Sequence, residues 1–464
     1  MKTGMKTGMK KTMKTKCCFL NNALNPFRMA PLLAALLTLL STGIALSGPL
    51  ELQSAFDNIT VYAEQPAPHY LEILVTASRE TSTVRNRLPL NLALVIDTSG
   101  SMRDENKLDS VKQAAIALVN RLQPEDRLAI VSYDTQAKVV LPSSPVRVDQ
   151  ETRWLIQSLR ADGGTNLGAG LIEGYHQLRE FAGPKIISRV LLLSDGKANV
   201  GITSSAELSH MVLQEADIGI SLSTFGVGLD FNEDLMAALS ESGRGMYYFI
   251  DRPESMEAIL AKEFNSVEQL VAADIKATIT LSPDFLIEQV FANTFEVNGN
   301  TVSVRFGDLA AGERRRMQIR FQPRQRGPGV VNNAAMVQVT YMNPGGGGSG
   351  FLSQSIGLAY IKSQQAIADN LDKEIAERSA VFEANLARKE AALAVDRGEI
   401  KRADSILDLV KKKIKGLAGS SSRVQQEVSD MESYQEGLEK PMPARERALV
   451  QKRVKHKSQA IEGY

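Results

Sequence analysis

LNLALVIDTSGSM, residues 90 to 102, is the stretch whose reading decides the fold. Its first eight residues form a nearly continuous apolar run without polar alternation, which predicts a strand buried on both faces. The run stops at Asp97, and a Ser/Gly turn leads into a helix with apolar positions at Leu108, Val111, Ala115, Leu118, Val119 and Leu122. Working outward, RLAIVSY (127–133), RVLLLSD (189–195) and ISLSTFGVG (220–228) repeat the buried-strand signature. Helix-period segments around 152–159, 167–181, 205–216 and 232–240 separate them, MYYFI (246–250) offers a last strand, and a helix is expected from 253 to about 270. Doubly apolar strands alternating with helices predict a doubly wound, mostly parallel α/β sheet over residues 90–271.

The pattern changes on either side. From 272 to 361, segments such as IKATITL, RRRMQIRFQ, AAMVQVTYM and FLSQSIGLAYI alternate with period two between Gly, Pro and Asn, which predicts an antiparallel β-sandwich. PGGGGSG (344–350) lies between strand-like segments and reads as a hairpin tip. YLEILVTAS (70–78) also alternates, so residues 48–89 are expected to join the sandwich, with the α/β layer inserted into it. Beyond 362 the β signal ends. Ile367, Leu371, Ile375, Phe382, Leu386 and Leu393 form one helical stripe, and Ala403, Ile406, Leu407, Val410 and Ile414 form another after a break at Asp396-Arg397-Gly398. Residues 362–464 therefore read as a helical hairpin with a basic tail, which is expected to be solvated.

Charge and cysteine content narrow the function. The chain has 464 residues, 43% of them hydrophobic, and a formal charge of +1. Residues 1–47 hold seven basic side chains and no acidic one, which leaves the rest at −6 and argues against a nucleic-acid partner. The only two cysteines, Cys17 and Cys18, also lie there, so the body has no thiol for a disulfide, a zinc site or nucleophilic catalysis. MAPLLAALLTLLSTGIA (29–45) follows basic residues and precedes Ser47. This is the layout of a signal peptide cleaved after Ser47, or of an uncleaved anchor. Either form exports the body to the periplasm, cell envelope or exterior, and an uncleaved anchor would be its one membrane contact.

The chemistry-bearing residues sit where open α/β sheets form their crevice, at the carboxyl ends of strands. Asp97, Ser99 and Ser101 follow the first strand, Thr165 lies in GGTN, and Asp195 ends the third. Two carboxylates and three hydroxyls on tight loops suit a hard divalent cation, with Mg²⁺ the expected ion and Mn²⁺ or Ca²⁺ admitted by the same oxygens. Asp134, Asp162 and Asp230 read as turn or cap residues.

In DTSGSM, GGTN and SDG the chain resembles the von Willebrand factor A family over about 90 to 270. The wording is similar to its bacterial exported branch, to calcium-activated chloride channel homologues and to inter-alpha-trypsin inhibitor heavy chains. The resemblance implies a metal-ion-dependent adhesion site, with Ser99, Ser101 and Thr165 reaching the cation through hydroxyls and Asp97 and Asp195 binding directly or through water. It further implies a partner protein that supplies a carboxylate to the metal, and a binding module rather than an enzyme. Two alternatives are an Mg²⁺-dependent hydrolase and an envelope assembly scaffold acting through its C-terminal helices. The first is disfavoured because position 99 is Ser where a phosphoryl-transfer site would place a second Asp.

Overall fold

A computed structural model describes residues 48–79, 87–292, 295–344, 348–418, 421–439, 449–450 and 452–453. The leader read at 1–47 lies outside the described residues. Strands β1 (Leu50–Phe56), β2 (Thr60–Tyr62) and β3 (His69–Ala77) come first. The next layer runs β4 (Leu90–Asp97), α1 (Lys107–Val119), β5 (Arg127–Tyr133), β6 (Ala137–Pro145), α2 (Gln150–Ser158), α3 (Leu167–Arg179) and β7 (Ile187–Ser194). It continues with α4 (Ser205–Asp217), β8 (Ile220–Val227), α5 (Glu233–Ser242), β9 (Arg244–Ile250) and α6 (Met256–Glu268).

These six strands form one sheet in the order β6-β5-β4-β7-β8-β9. All pairs are parallel except β5 with β6, an antiparallel edge that the apolar pattern did not announce. Every residue of β4 and β8 is buried. Alternate side chains serve two cores, with Leu92, Leu94 and Ile96 on one face and Ala93 and Val95 on the other. Helix α3 approaches the second face closely. A Cβ on Gly174 would stand 2.5 Å from Val95 Cγ2. Gly174→Ala should therefore lower stability by about 1–3 kcal/mol through overpacking, read as a shift in the denaturant midpoint at unchanged slope.

Strands β10 (Leu270–Leu281), β11 (Phe285–Phe291), β12 (Phe295–Asn298), β13 (Thr301–Ala310), β14 (Arg314–Pro323), β15 (Gly329–Met342) and β16 (Ser349–Ile361) follow. They make two sheets, β1-β3-β14-β11 and β12-β13-β10-β15-β16-β2, which share one hydrophobic core. Strand β3 pairs with β14 from Thr76 opposite Arg314 to His69 opposite Phe321. The pairs are antiparallel except β2 with β16, which run parallel at the sheet edge. Around the glycine run, Met342 pairs with Ser349.

The C-terminal region holds α7 (Gln364–Asp369), α8 (Lys373–Asp396), α9 (Ile400–Ala418) and α10 (Ser422–Glu439). The stripe read as one helix is broken after Asp369, where Asp372 caps α8 by accepting from Ile375 N at 3.0 Å. The expected hairpin gains a third member, since Val424, Val428, Met431 and Tyr434 of α10 join the core of α8 and α9. Tail residues Lys452 and Arg453 are not free in solvent either. Lys452 is buried, donates to Phe231 O at 2.9 Å and lies over the Phe231 ring, while Arg453 meets Asp251 at 2.8 Å. Its long apolar stem lets a lysine pack in this way. No helix among the described residues is long and apolar enough to cross a membrane.

A buried polar cluster joins the α/β layer to the two-sheet unit. Arg189 of β7 donates to Glu263 of α6 at 2.8 Å and to Asp308 of β13 at 2.6 Å. Ser223 and Tyr248 hydroxyls also donate to Glu263. Burial works against the Arg189 charge, yet the carboxylates of Glu263 and Asp308 hold its pKa above the ordinary value.

Candidate metal centre

Strand order reverses beside β4, whose neighbours are β5 on one side and β7 on the other, so a crevice opens beyond their carboxyl ends. Asp97 and Asp195 occupy it, one at the end of β4 and one directly after β7. Both are fully buried. Ser99 N donates to Asp97 Oδ1 at 2.8 Å, and Ser194 Oγ donates to Asp97 Oδ2 at 2.7 Å. Ser99 Oγ lies 3.2 Å from Ser101 Oγ, which donates to Asp195 Oδ1 at 2.7 Å. Hydroxyls thus connect the loops that follow the two strands.

The third loop is laced to the first by backbone. Gly100 N donates to Gly163 O at 3.1 Å and Asp162 N to Thr98 O at 2.7 Å. Gly163 has φ +73°, a conformation that glycine adopts without strain, and a Cβ there would meet Thr135 Oγ1 at 2.8 Å. Thr165 is buried two residues on, with its N–H on Asn199 Oδ1 at 2.8 Å and its carbonyl accepting from Asn199 N at 3.1 Å. Its hydroxyl and the Asp97 carboxylate both border Gly196. A Cβ added to Gly196 would lie 3.0 Å from Thr165 Oγ1 and 3.7 Å from Asp97 Oδ2. The five residues read from the sequence therefore meet in one crevice. Asp134 caps a turn through Gln136 N, and Asp162 pairs with Arg103 at 3.2 Å.

The donors fit a hard cation, because the side chains of all five residues end in carboxylate or hydroxyl oxygens. Burial raises the Asp97 pKa, the hydrogen bonds from Ser99 and Ser194 pull it down in part, and the nearby Asp195 carboxylate raises it further. Tyr133 is also buried there, with its hydroxyl 3.4 Å from Asp97 Oδ2, and its pKa is raised by that burial.

Sequence reasoning missed Lys107. Its buried ammonium donates to Asp195 Oδ2 at 2.8 Å and lies 3.8 Å from Asp230. A short helical turn at 100–106, ending with Glu105 and Asn106 at φ 53° and 57°, folds α1 back so that its first residue enters the crevice. Ser194 and Asn199 were missed too. Ser194 at least adjoins a chosen residue, whereas nothing in the spacing placed Lys107 on Asp195, 88 positions away.

A family model of the von Willebrand factor type A domain matches residues 91–262. The uncharacterized protein YfbK of Escherichia coli is 35% identical over 229 residues, covering 48% of this chain and 40% of that protein. Inter-alpha-trypsin inhibitor heavy chain H2 of Sus scrofa is 26% identical over 45% of this chain and 23% of its own length. The chain thus spans well under two thirds of these relatives. Among solved structures, a von Willebrand factor type A protein from Catenulispora acidiphila superposes with a TM-score of 0.65 at 17% identity, covering 87% of this chain and 95% of that one. The ArnB paralog VWA2 from Sulfolobus acidocaldarius gives 0.57 at 15%, covering 89% and 99%. These two likenesses extend beyond the α/β layer and concern the fold.

Proposed function

Because residues 91–262 match the family model of the von Willebrand factor type A domain, we propose that this chain is a metal-dependent protein-binding module that captures an acidic side chain of a partner. The observation that carries the proposal is the meeting of Asp97, Ser99, Ser101, Thr165 and Asp195 beyond the ends of β4 and β7. These five residues would hold the cation, Mg²⁺ first and Mn²⁺ or Ca²⁺ as alternatives. The bound ion would supply an electrophilic position for a carboxylate from outside. The chain's own part is positional: Ser99 N and Ser194 fix the Asp97 carboxylate, Ser101 fixes Asp195, and the Asn199 side chain fixes the Thr165 backbone. Two carboxylates balance the cation's charge and three neutral hydroxyls fill positions without over-neutralising it, so a position left to water would accept a carboxylate oxygen from outside.

The proposal includes an exported body behind the 1–47 leader, partitioned at 48–89, 90–271, 272–361 and 362–464. It is tested by titrating divalent cations into the full chain by calorimetry, then capturing envelope proteins in Mg²⁺ or EDTA. Saturable cation binding and EDTA-eluted partners are the expected results. Absence of both would leave the five residues a structural inheritance.

Lys107 sets the strength of cation binding in this reading. Its ammonium shares Asp195 with the cation and repels it. Lys107→Met should therefore tighten cation binding by about tenfold, equivalent to ~1.4 kcal/mol, in the same titration. Unchanged or weaker binding would show that the lysine instead organises the carboxylate.

A further inference from the structure

A cleft of about 850 Å³ lies where β9 and α6 of the α/β layer, strands β13 and β14, and helices α8 and α10 converge. It is separate from the crevice beyond β4 and β7, sharing no residue with it. Its wall carries six arginines and two lysines against two glutamates, a surplus of six positive charges. The rest of the chain does not neutralise this surplus fully. Arg244 is held by Asp217 and Asp274, Arg316 lies 3.5 Å from Glu72, and Arg315 lies 3.8 Å from Glu313. Arg305, Arg314, Lys389 and Arg423 meet no carboxylate among the described residues.

The crowding is physical as well as numerical. Burial lowers the Arg316 pKa, the Glu72 carboxylate opposes this, and the like charges of Arg378, Arg314 and Arg423 depress it further. Guanidinium groups placed where they repel one another are stabilised by an anion that bridges them. Arginine forks match tetrahedral and planar oxyanions with paired hydrogen bonds. The cleft volume is that of a small-molecule site rather than of a macromolecular surface. Within such a volume a phosphoryl group brings about −1.5 to −2 charges, against one for a carboxylate, so phosphates match the surplus most compactly.

We propose that this cleft binds a small organic anion bearing two or more phosphoryl groups, held by Arg305, Arg314, Lys389 and Arg423. The ligand enters between the three parts of the chain and ties them together.

The test titrates inorganic tripolyphosphate into the full chain by calorimetry, in EDTA so that the metal centre takes no part. Saturable binding is expected, weakened by about tenfold or more in Arg314→Glu/Arg423→Glu, and unchanged in Lys138→Glu and in Asp97→Ala. Should the double reversal fail to fold by circular dichroism, Arg305→Gln/Lys389→Gln makes the same comparison. No saturable binding, or equal binding by the cleft variants, overturns the proposal. Equal weakening by Lys138→Glu would assign the attraction to the general field of the surface, and loss in Asp97→Ala would assign it to the crevice. Citrate binding as tightly as tripolyphosphate would overturn the choice of phosphate.

Discussion

Asp97→Ala removes divalent-cation binding, with the affinity expected to fall by about a hundredfold or more, ~2.7 kcal/mol or above. The substitution takes away one of two carboxylates facing the crevice, the one whose oxygens are already oriented by Ser99 N and Ser194. Stability should tell the same story by mass action. At a cation concentration of a hundred times the parent's Kd the parent gains about 2.7 kcal/mol, and a hundredfold weaker variant gains only about 0.4 kcal/mol. In EDTA the two proteins should lie within about 1 kcal/mol, because the lost hydrogen bonds, each worth ~1 kcal/mol, are offset by relief of a buried charge. Burial has raised the Asp97 pKa, which means that the folded chain disfavours its ionised form. Thermal melts with and without Mg²⁺ check both statements. A variant that gains as much from Mg²⁺ as the parent would place the cation elsewhere.

Glu263→Ala should be the most destabilising single substitution considered, by about 3–5 kcal/mol. It strips a fully buried carboxylate from Arg189, Ser223 and Tyr248 and leaves Asp308 as the remaining carboxylate on the guanidinium. The apolar pair Arg189→Met/Glu263→Leu should recover part of that loss, since it removes these two desolvated charges together but leaves Asp308 without its guanidinium. Urea denaturation of the parent, the single and the double variant decides the matter. Equal losses in both variants would mean that packing rather than charge holds α6 against the sheet.

The parallel strands were legible because burial on both faces forces a continuous apolar text. Leu90 to Asp97 and Arg127 to Tyr133 coincide with β4 and β5. The edge strand β6 was not, since AKVVLPSSP is half-buried to exposed throughout and has no such text. Helix α10 escaped notice because its core residues Val424, Val428, Met431 and Tyr434 are spread thinly through a polar segment. At the crevice, strand ends told where Asp97 and Asp195 would stand, and the loop glycines told that the chain turns sharply there. Lys107 was hidden because its position depends on two left-handed residues, Glu105 and Asn106, that no periodicity marks. The pairing of Arg189 with Glu263 and Asp308 depends on how two separately folded layers meet, which local text does not record.

The pairing of β3 with β14 bears on the order of events during synthesis. Thr76 waits for Arg314, and the whole α/β layer is translated between them. That layer contains its own strands, helices and two cores, so it can close while β14 is still unmade. Strands β1 and β3 can pair at once as a local hairpin, but an isolated hairpin is only marginally stable in water. Their apolar face therefore stays uncovered until β14 is made, and β2 waits longer still, for β16. The nascent protein is most prone to aggregate through these early strands, and the two-sheet unit closes only when strands made after the α/β layer capture strands made before it.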